Sequence, residues 1–425
     1  MTILAINCGS SSIKFGLISF GENEDLLVRG LVERIGLGDS RLTFTLSSGE
    51  RMVLDNMMHL NHERAIDLVL ESLTDPKTGV ISSVDEIYAV GHRVVHGGEG
   101  IRGPVLIDDQ VMQLLSDRSD LAPLHNPPNI AGIKAVSLAL PKVLQVAVFD
   151  TAFHQTMPKH AYIYPLPYEL YEKYGIRRYG FHGTSYRYVA EEAARFLGRA
   201  LEDLRIIICH LGGGASIAAV KFGASVDTSM GFTPLEGLEM GTRCGDLDPS
   251  VVLYLMEKAG MSAIEVGDLL NNRSGLLGVS GYSSDMREIE EAVFCDVGRR
   301  DFKIGYLKKR NLNTGHPHHS RSKLALEIYV YRIKKYIGAY AAAMGGLDAV
   351  IFTGGVGENS EVVPEEACSE MELFGIRLGP RVDLGSGWYE LSGSGSQVRV
   401  LVIPTDEEMM IARETYRLLR GWHKA

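Results

Sequence analysis

Cysteine is scarce in this 425-residue sequence, and the five cysteines lie far apart, at Cys8, Cys209, Cys244, Cys295 and Cys368. No two of them form the CxxC pair that a zinc ribbon uses, and their spacing predicts no disulfide framework. We therefore expect a protein of a reducing compartment.

Long apolar runs and an excess of positive charge are also missing. No run approaches the ~18 apolar residues of a membrane-spanning helix, and the first residues lead directly into a strand pattern. We therefore expect a cytoplasmic protein without a membrane partner. The formal net charge of -10 counts against nucleic acid as a partner, because phosphate neutralisation needs clustered Lys and Arg. A small anionic substrate is not excluded, since a site can be locally basic.

The composition is that of a globular protein, with 45% hydrophobic and 23% charged residues, and the length allows two or three domains. Strand-like and helix-like patterns alternate along the chain, which predicts an α/β fold. The basic, turn-rich segment from about 296 to 322 predicts a surface loop, and a long amphipathic helix is predicted after it, over 324–345.

Two stretches about half a chain apart share a format of apolar strand, small-residue turn and apolar strand. They read AINCGSSSIKFGL at 5–17 and ICHLGGGASIAAV at 208–220. The echo indicates a duplicated fold with one phosphate-facing hairpin per domain; coincidence is the alternative. In the first turn, backbone amides and the hydroxyls of Ser10 and Ser12 can cradle phosphate, and Lys14 can add charge. A serine-rich hairpin without a ligand is the alternative.

Charged residues end two of the apolar strand patterns. Arg93 in GHRVVHGGEG lies beside glycines that let a ligand approach the backbone. Asp150 ends the run VAVFD, where a carboxylate can bind metal or position a ligand. The alternatives are a surface arginine and a buried salt bridge.

Arginine and histidine also occur in glycine-rich segments. RRYGFHGTSY places His182 between glycines after Arg177 and Arg178, a pattern that can stabilise charge on a transferring group. A structural histidine is the alternative. Arg243 lies in the 23-residue segment DTSMGFTPLEGLEMGTRCGDLDP, and loops this long are usually functional or disordered. This segment lacks the charge of a disordered one.

Two further segments lie near the C-terminus. The glycines of TGGVGENS, residues 353–360, would let an adenine lie against the backbone, and Ser360 is predicted to cap the next helix. A plain loop is the alternative. Glu407 and Glu408 in PTDEE can supply a magnesium ligand, or can simply favour the first turn of the last helix.

Together these segments resemble the acetokinase family, a branch of the sugar kinase, heat-shock ATPase and actin superfamily. The matching motifs run in order along nearly the whole chain: INCGSSSIKF, GHRVVHGGE, LAPLHNPPN, VFDTAFHQTMP, RRYGFHGTSY, HLGGGAS, DTSMGFTPLEGLEMGTR, SGLLGVSGYSSDMR, FTGGVGENS and IPTDEE. The resemblance implies two domains, each built on a duplicated βββαβαβα (actin-like ATPase) core, with the active site in the interdomain cleft. On this basis we expect an N-terminal domain over 1–150, completed by the helix 409–425, and a C-terminal domain over 151–408 with a basic insertion at about 296–322.

The resemblance also implies roles for individual residues. Arg93 and Arg243 match the pair that binds the substrate carboxylate and the transferring phosphoryl group, and His182 matches the transition-state donor. Asp150 and Glu407 match the acids associated with Mg²⁺ or Mn²⁺, and Asn7 is a further expected metal-site residue. Positions that match contacts to ATP or ADP lie in both turns and near adenosine: Asn7, Ser10, Ser12, Lys14, His210, Gly212, Gly213, Gly214, Asp285, Arg287, Gly355, Val356, Gly357 and Asn359.

The implied reaction is reversible transfer of the ATP γ-phosphoryl group to acetate by direct in-line attack. A carboxylic acid with a pKa of roughly 4 to 5 is already ionised at pH 7, so no general base is required. The implied pocket residues are Val95, Leu124, Phe181 and Pro234. Relatives that prefer propionate tend to carry a smaller residue at the place of Val95, so we expect acetate to be preferred and propionate tolerated.

Two positions depart from the family pattern. Gly213 stands in HLGGGAS where the family usually has Asn, which removes a side-chain amide near the phosphates. Cys244 replaces the Ser that usually follows Arg243, and an exposed thiol there would make the site sensitive to oxidation.

Three rival functions remain open from the sequence. They are a propionate or other short-chain acid kinase, a non-catalytic ATP-binding switch protein, and a pyrophosphate-dependent acetate kinase. A switch protein would lack the pair Arg93 and Arg243 with His182, and the open glycines of TGGVGENS count against pyrophosphate. The family is typically homodimeric through its C-terminal domain, and the helix 324–345 is a candidate for that contact.

Overall fold

The computed structural model describes residues 1–57, 60–119, 122, 125–295 and 312–422. They form two compact units. The first contains Met1–Gln155, Phe181–Tyr188 and the residues from Asp406 onward, and the second contains Thr156–Gly180 and Val189–Thr405. The sequence-based division assigns Phe181–Tyr188 to the second domain, whereas the contacts of this segment place it in the first unit.

The first unit is built on an eight-stranded sheet. Its strands are β1 (Thr2–Cys8), β2 (Ser12–Phe20), β3 (Glu24–Glu33), β4 (Ser40–Leu46), β5 (Arg51–Met57), β6 (Ile87–Val94), β7 (Val105–Leu106) and β8 (Leu144–Phe149). Their order across the sheet is β5-β4-β3-β2-β1-β6-β8-β7. β1 and β2 form the predicted antiparallel hairpin, in which Asn7 pairs with Lys14. β1, β6 and β8 are parallel, so their carboxyl ends meet at one edge.

Helices cover both faces of this sheet. They are α1 (His62–Leu73), α2 (Asp109–Asp117), α3 (Asn126–Ala139) and, near the C-terminus, α14 (Glu407–Trp422). Leu4 and Ile6 pack in a cluster with residues of α1 and α3, whereas Ile3 and Ala5 pack with residues of α14. This two-sided burial explains why β1 is a continuous apolar run rather than an alternating one.

The second unit contains a seven-stranded sheet. Its strands are β9 (Arg205–Leu211), β10 (Ala215–Lys221), β11 (Ala224–Thr228), β12 (Ala349–Thr353), β13 (Leu378–Gly385), β14 (Trp388–Ser392) and β15 (Arg399–Val402). The other helices are α4 (Lys159–Tyr162), α5 (Tyr168–Tyr174), α6 (Gly183–Leu197), α7 (Ser250–Lys258), α8 (Ala263–Asn272), α9 (Gly275–Ser280), α10 (Met286–Val293), α11 (His319–Met344), α12 (Gly354–Asn359) and α13 (Val362–Cys368). Nowhere in the described ranges is a helix long and apolar enough to cross a membrane.

The two sheets share one topology. The order β3-β2-β1-β6-β8 in the first sheet corresponds to β11-β10-β9-β12-β15 in the second. In the first sheet β3, β2 and β1 are antiparallel to one another in turn, whereas β1, β6 and β8 are parallel. In the second sheet β11, β10 and β9 are antiparallel in the same way, whereas β9, β12 and β15 are parallel. The predicted duplicated α/β core of the actin-like ATPase type is therefore confirmed.

Three local predictions were wrong at their boundaries. Residues 354–359, predicted as a loop, form the short helix α12, although Ser360 does accept hydrogen bonds from the first amides of α13. The long helix begins at His319 rather than 324, because its first turns are buried beside α10. Residues 296–311 of the predicted loop lie outside the described residues. The segment TSYRYVAEEAARFLG predicts a helix capped by Thr184 or Ser185. In the structure this helix, α6, begins at Gly183, so Thr184 lies inside it.

Candidate active site

Arg93 and Asp150 meet at the carboxyl edge of the first sheet. Arg93 lies near the end of β6, and Asp150 directly follows the neighbouring parallel strand β8. Two nitrogens of the guanidinium, Nη2 and Nε, donate to Asp150 Oδ2 at 2.6 and 3.0 Å. The hydroxyl of Thr184 donates to the other oxygen, Oδ1, at 2.7 Å. The structure thus shows Asp150 in a buried salt bridge, the alternative that the sequence left open. Nothing in the sequence pattern indicates Thr184 as the residue whose hydroxyl fixes the carboxylate.

Asn7 and Glu407 complete this cluster. Arg93 Nη1 donates to Asn7 Oδ1 at 3.3 Å, and Asn7 Nδ2 donates to Glu407 Oε2 at 3.2 Å. Burial disfavours the charge on Arg93, but Asp150 and Glu407 outweigh it and raise its pKa. Residues that are up to 400 positions apart in the sequence therefore form one charged group.

The cluster has the donor chemistry of a magnesium site. Carboxylate and amide oxygens are the ligands that Mg²⁺ prefers, and Asp150, Glu407 and Asn7 carry such oxygens. Among the described residues, however, no group of three or more acidic, histidine or cysteine side chains is arranged to hold a metal ion. The neighbouring Glu408 has a buried oxygen, Oε1, with no hydrogen-bond partner among the described residues. Its pKa is raised by burial and by Glu407. Glu407 and Glu408 are neighbours in the sequence, and a divalent cation near them would relieve the repulsion between their charges.

His182 lies beside this cluster in the first unit. Its backbone has φ of 60°, a left-handed conformation that costs a non-glycine residue energy. The next residue, Gly183, lies so close to Asp150 that a Cβ would come within 2.0 Å of the Asp150 carbonyl oxygen. The glycine therefore lets the backbone of His182 approach Asp150. Strain at a residue with a predicted chemical role is typical of functional sites.

The apolar residues of the predicted pocket are only partly brought together. Val95 is buried directly after β6, and its amide donates to Asn129 Oδ1 at 3.2 Å. Phe181 is buried in the same unit, with its ring 5.9 Å from that of His96. Leu124 lies outside the described residues. Pro234 belongs to the second unit.

The first turn has the hairpin geometry expected of it. The Gly9 amide donates to the carbonyl of Ser12 at 2.8 Å, and the Cys8 carbonyl accepts from Asn129 Nδ2 at 2.7 Å. Ser10 and Lys14 are exposed. The turn is thus held from below while the side chains predicted to contact phosphate remain accessible.

Arg243 is the main cationic candidate of the second unit. Its guanidinium is half-buried and donates from Nη1 to the Pro234 carbonyl at 3.1 Å and, weakly, to Met240 Sδ at 3.8 Å. No carboxylate forms an ion pair with it in the part of the chain that the structure describes. Burial consequently lowers its pKa. A half-buried cation without an acidic partner is a ready site for an anion.

The second turn lies between β9 and β10, as predicted. The Gly212 amide donates to the Gly214 carbonyl at 3.0 Å, and a Cβ on Gly212 would lie 3.9 Å from the Gly355 amide. Among the described residues, no atom beyond its chain neighbours lies within 4 Å of the place a Cβ would take at Gly213. The side chain missing at Gly213 therefore leaves open space beside the turn.

The remaining nucleotide candidates lie on helices and on one strand of the second unit. Asp285 caps α10, and its carboxylate pairs with the exposed Arg287 at 2.6 Å, which lowers the pKa of Asp285. Asn359 Nδ2 donates back to the Gly355 carbonyl at 2.8 Å. His210 is the penultimate residue of β9, and Val356 and Gly357 lie in α12. The adenosine roles of these residues remain predictions.

Cys244 is less prone to oxidation than a thiol beside an arginine would be if it were exposed, because a neighbouring cation favours the reactive thiolate. Its thiol donates to the Gly245 carbonyl at 3.1 Å, and burial raises its pKa. A raised thiol pKa reduces the thiolate fraction and so counts against ready oxidation.

Comparison with known proteins identifies the family. The family model of the acetokinase family matches residues 2–303 and 307–413. The chain belongs to the acetokinase family. The match leaves only 304–306 unmatched within the basic segment predicted as an insertion. Family membership makes the chain a kinase with a carboxylate acceptor.

Individual relatives agree with this placement. The chain is 53% identical over 422 residues to acetate kinase of Caldanaerobacter subterraneus subsp. tengcongensis, covering 99% of this chain and 100% of the relative. It is 52% identical over 423 residues to acetate kinase of Thermotoga maritima, covering 99% of each.

Solved structures also match along nearly the whole chain. Acetate kinase of Porphyromonas gingivalis has a TM-score of 0.84 at 46% identity, covering 98% of this chain and 99% of that one. A propionate kinase from Francisella tularensis subsp. tularensis has a TM-score of 0.83 at 38% identity, covering 97% and 98%.

Proposed function

We propose that the chain is an acetate kinase that reversibly transfers the γ-phosphoryl group of ATP to acetate, giving acetyl phosphate and ADP. The observation that carries the proposal is the guanidinium of Arg243, half-buried and without an acidic partner among the described residues. Such a group binds an anion more strongly than an arginine that is already paired, because no existing ion pair has to be broken. The transferring phosphoryl group is that anion.

Arg93 plays a complementary part in the first unit. Its orientation is fixed by Asp150, so it can meet the substrate carboxylate without reorganisation. His182 lies next to this cluster and can donate to charge that develops in the transition state.

The reaction needs no general base. Acetate is ionised at neutral pH, so one of its oxygens attacks the γ-phosphorus directly. The bond from the γ-phosphorus to the β,γ-bridging oxygen breaks, and its electron pair leaves on ADP. No proton is gained or lost in this step. Positioning of the two reactants and neutralisation of the phosphate charge are therefore sufficient for catalysis.

We further propose that Mg²⁺ accompanies the nucleotide. Asp150, Glu407 and Asn7 would hold it, with Glu408 adding negative charge nearby. When bound, the ion neutralises charge on the phosphates. The turns after β1 and β9 would contact the phosphates through their backbone amides.

Acetate is the proposed acceptor rather than propionate. Val95 is buried, and its two methyl groups take up space that an additional methylene of the substrate would need. A propionate kinase is the rival, and one of the matching structures is described as such.

The first experiment measures initial rates with Mg-ATP and acetate, trapping acetyl phosphate as the hydroxamate. Parallel reactions replace acetate by propionate, and ATP by pyrophosphate. ATP-dependent rates that favour acetate are expected. ATP binding without turnover on any acid would overturn the proposal in favour of a switch protein, and a higher kcat/KM for propionate would reassign the acceptor.

We also propose a cytoplasmic homodimer. ATP is available in the cytoplasm, and all five cysteines are unpaired. The surface of the second unit exposes apolar side chains of α7 and α8, including Leu253, Tyr254 and Ile264. α11, the helix expected from the sequence to form the contact, instead buries much of its apolar surface inside the unit. Sedimentation of the wild-type chain and of Leu253→Asp would test this contact.

A further inference from the structure

Arg178 holds together the two ends of a loop in the second unit. Its Nη1 donates to three consecutive carbonyl oxygens, those of Thr228, Ser229 and Met230, at 2.8, 3.1 and 3.2 Å. Its Nη2 donates to Glu236 Oε1 at 2.5 Å. One guanidinium thus contacts the start of the loop through the backbone and its end through a carboxylate.

Glu236 lies across the inside of this loop. Its second oxygen accepts a hydrogen bond from the hydroxyl of Tyr164, which in turn accepts from the Phe232 amide at 2.9 Å. A Cβ on Gly231 would lie 1.7 Å from Glu236 Oε2 and 2.1 Å from the Tyr164 hydroxyl oxygen. The carboxylate and the phenol therefore occupy space that only a glycine at position 231 leaves open.

The loop carries a direct contact to Arg243. Pro234 lies between Phe232 and Glu236, and its carbonyl accepts from Arg243 Nη1 at 3.1 Å. The position of that carbonyl depends on the loop that Arg178 and Glu236 close. Burial opposes the charge on Arg178, but Glu236 together with Tyr340, Tyr164 and Asp227 outweighs it and raises the pKa of Arg178, so the clamp stays charged.

We propose that Arg178, Tyr164 and Glu236 form a clamp of positioning residues that orients the guanidinium of Arg243 through Pro234. The inference rests on the proposed role of Arg243 in binding the transferring phosphoryl group. A buried ion pair that serves stability alone is the competing explanation. That explanation does not account for the convergence of the hydrogen bonds of Arg178, Tyr164 and Glu236 on the segment that contains Pro234.

The test compares Glu236→Ala, Glu236→Gln and Tyr164→Phe with the wild-type chain. Glu390→Gln is the matched control, because Glu390 forms a bidentate pair with Arg399 in the same unit. For each protein, kcat and KM are measured for acetate and for Mg-ATP, together with Tm. Tyr164→Phe deletes a single hydroxyl, so it keeps the test valid if Glu236→Ala does not fold.

Glu236→Ala should lower kcat/KM for acetate at least about tenfold, because small misplacements of a positioning group are costly. Glu236→Gln keeps an oxygen that can accept from Arg178 and gains an amide that can donate to the Tyr164 hydroxyl oxygen. Its kcat/KM for acetate should therefore lie much closer to wild type than that of Glu236→Ala. Tyr164→Phe should fall between them, and Glu390→Gln should leave both constants near wild type.

Two results would overturn the proposal. One is a folded Glu236→Ala or Tyr164→Phe protein whose kinetic constants match the wild type. The other is a loss of activity in Glu236→Ala that Glu236→Gln does not restore, together with a fall in Tm and the same relation between activity and Tm in Glu390→Gln. That result would indicate an ion pair that serves stability alone. Absence of acetate-dependent turnover in the wild-type chain would instead contradict the proposed function, so the two failures are distinguishable.

Discussion

Arg93 directs two nitrogens to a single oxygen of Asp150, Oδ2, while Thr184 donates to the other oxygen. The carboxylate is therefore held from both sides, and the arginine takes its orientation from it. A carboxylate that is fully buried and held in this way cannot reorient without leaving hydrogen bonds unmade.

Loss of the Thr184 hydroxyl should reduce activity without a change of charge. Thr184→Val removes a hydrogen bond to a charged group, which is worth about 1.5 to 3 kcal/mol, so kcat/KM should fall about tenfold or more. Thr184→Ser keeps the hydroxyl and should stay close to wild type. Equal activity of the two variants would show that Asp150 does not depend on Thr184.

Replacement of Arg243 should separate activity from stability. Arg243→Ala should lower kcat/KM by roughly 10² to 10³, the usual cost of losing a donor to transition-state charge. Because Arg243 has no acidic partner among the described residues, Tm should stay the same or rise. Arg243→Lys keeps the charge but loses the planar fork and should recover activity only in part. A Tm that falls by many degrees in Arg243→Ala would contradict this assignment.

Gly213 offers a test by addition of a side chain. Its backbone is not left-handed, and in the part of the chain that the structure describes no atom beyond its chain neighbours lies within 4 Å of the place a Cβ would take. Gly213→Asn should therefore fold like the wild type. If the added amide reaches a phosphate, KM for ATP should fall about two- to tenfold. Unchanged steady-state constants in a protein of unchanged Tm would show that the amide does not reach it.

Glu239 should make stability depend on pH. It is 2% exposed, and neither of its carboxylate oxygens has a hydrogen-bond partner among the described residues. Burial raises its pKa from 4.5 to about 8, so the folded chain holds a proton that the unfolded chain releases. This contribution to stability is complete below the unfolded pKa and is lost as the pH rises through the folded one.

The variant Glu239→Gln mimics the protonated acid. Its Tm should match the wild type at about pH 4 to 5 and exceed it by a few degrees above about pH 8. Glu327→Gln, a partly exposed position on α11 that pairs with Lys323, controls for the loss of one negative charge. A constant difference in Tm between Glu239→Gln and wild type at every pH would contradict the prediction.

Val95 should set the preference among short acids. Val95→Ala removes two methyl groups from a buried position, so the ratio of kcat/KM for propionate to that for acetate should rise about tenfold. Val94→Ala creates a similar cavity at the preceding buried residue, which packs in the core of the first unit. A shift of equal size in both variants would indicate loosened packing rather than a specific pocket.

The duplicated topology was predictable because its signals are local. Apolar strands around the turns after Cys8 and Leu211 are legible in a dozen residues each, and both hairpins form as predicted. The order of the motifs along the chain is itself enough to indicate the family. Charged residues at strand ends, such as Arg93 and Asp150, could also be named, since parallel strands bring their carboxyl ends to one edge.

Short helices and helix ends were harder to predict. Gly354–Asn359 is helical despite three glycines, and there a Cβ on Gly354 would lie 2.7 Å from the Leu211 carbonyl oxygen. Close packing against β9 thus outweighs the low helix propensity of glycine. The start of α11 at His319 likewise depends on neighbours that are distant in the sequence.

The sequence by itself determined the α/β class, the two hairpin turns and the identities of the charged residues, because these depend on periodicity and residue type over short stretches. Only the tertiary structure decided which groups are paired. Arg93 is bound to Asp150 and Arg243 is not bound to any acid among the described residues, and Thr184 serves Asp150 rather than capping its helix. Pairing depends on contacts between residues tens to hundreds of positions apart, and on burial that removes competing water, neither of which a local pattern encodes.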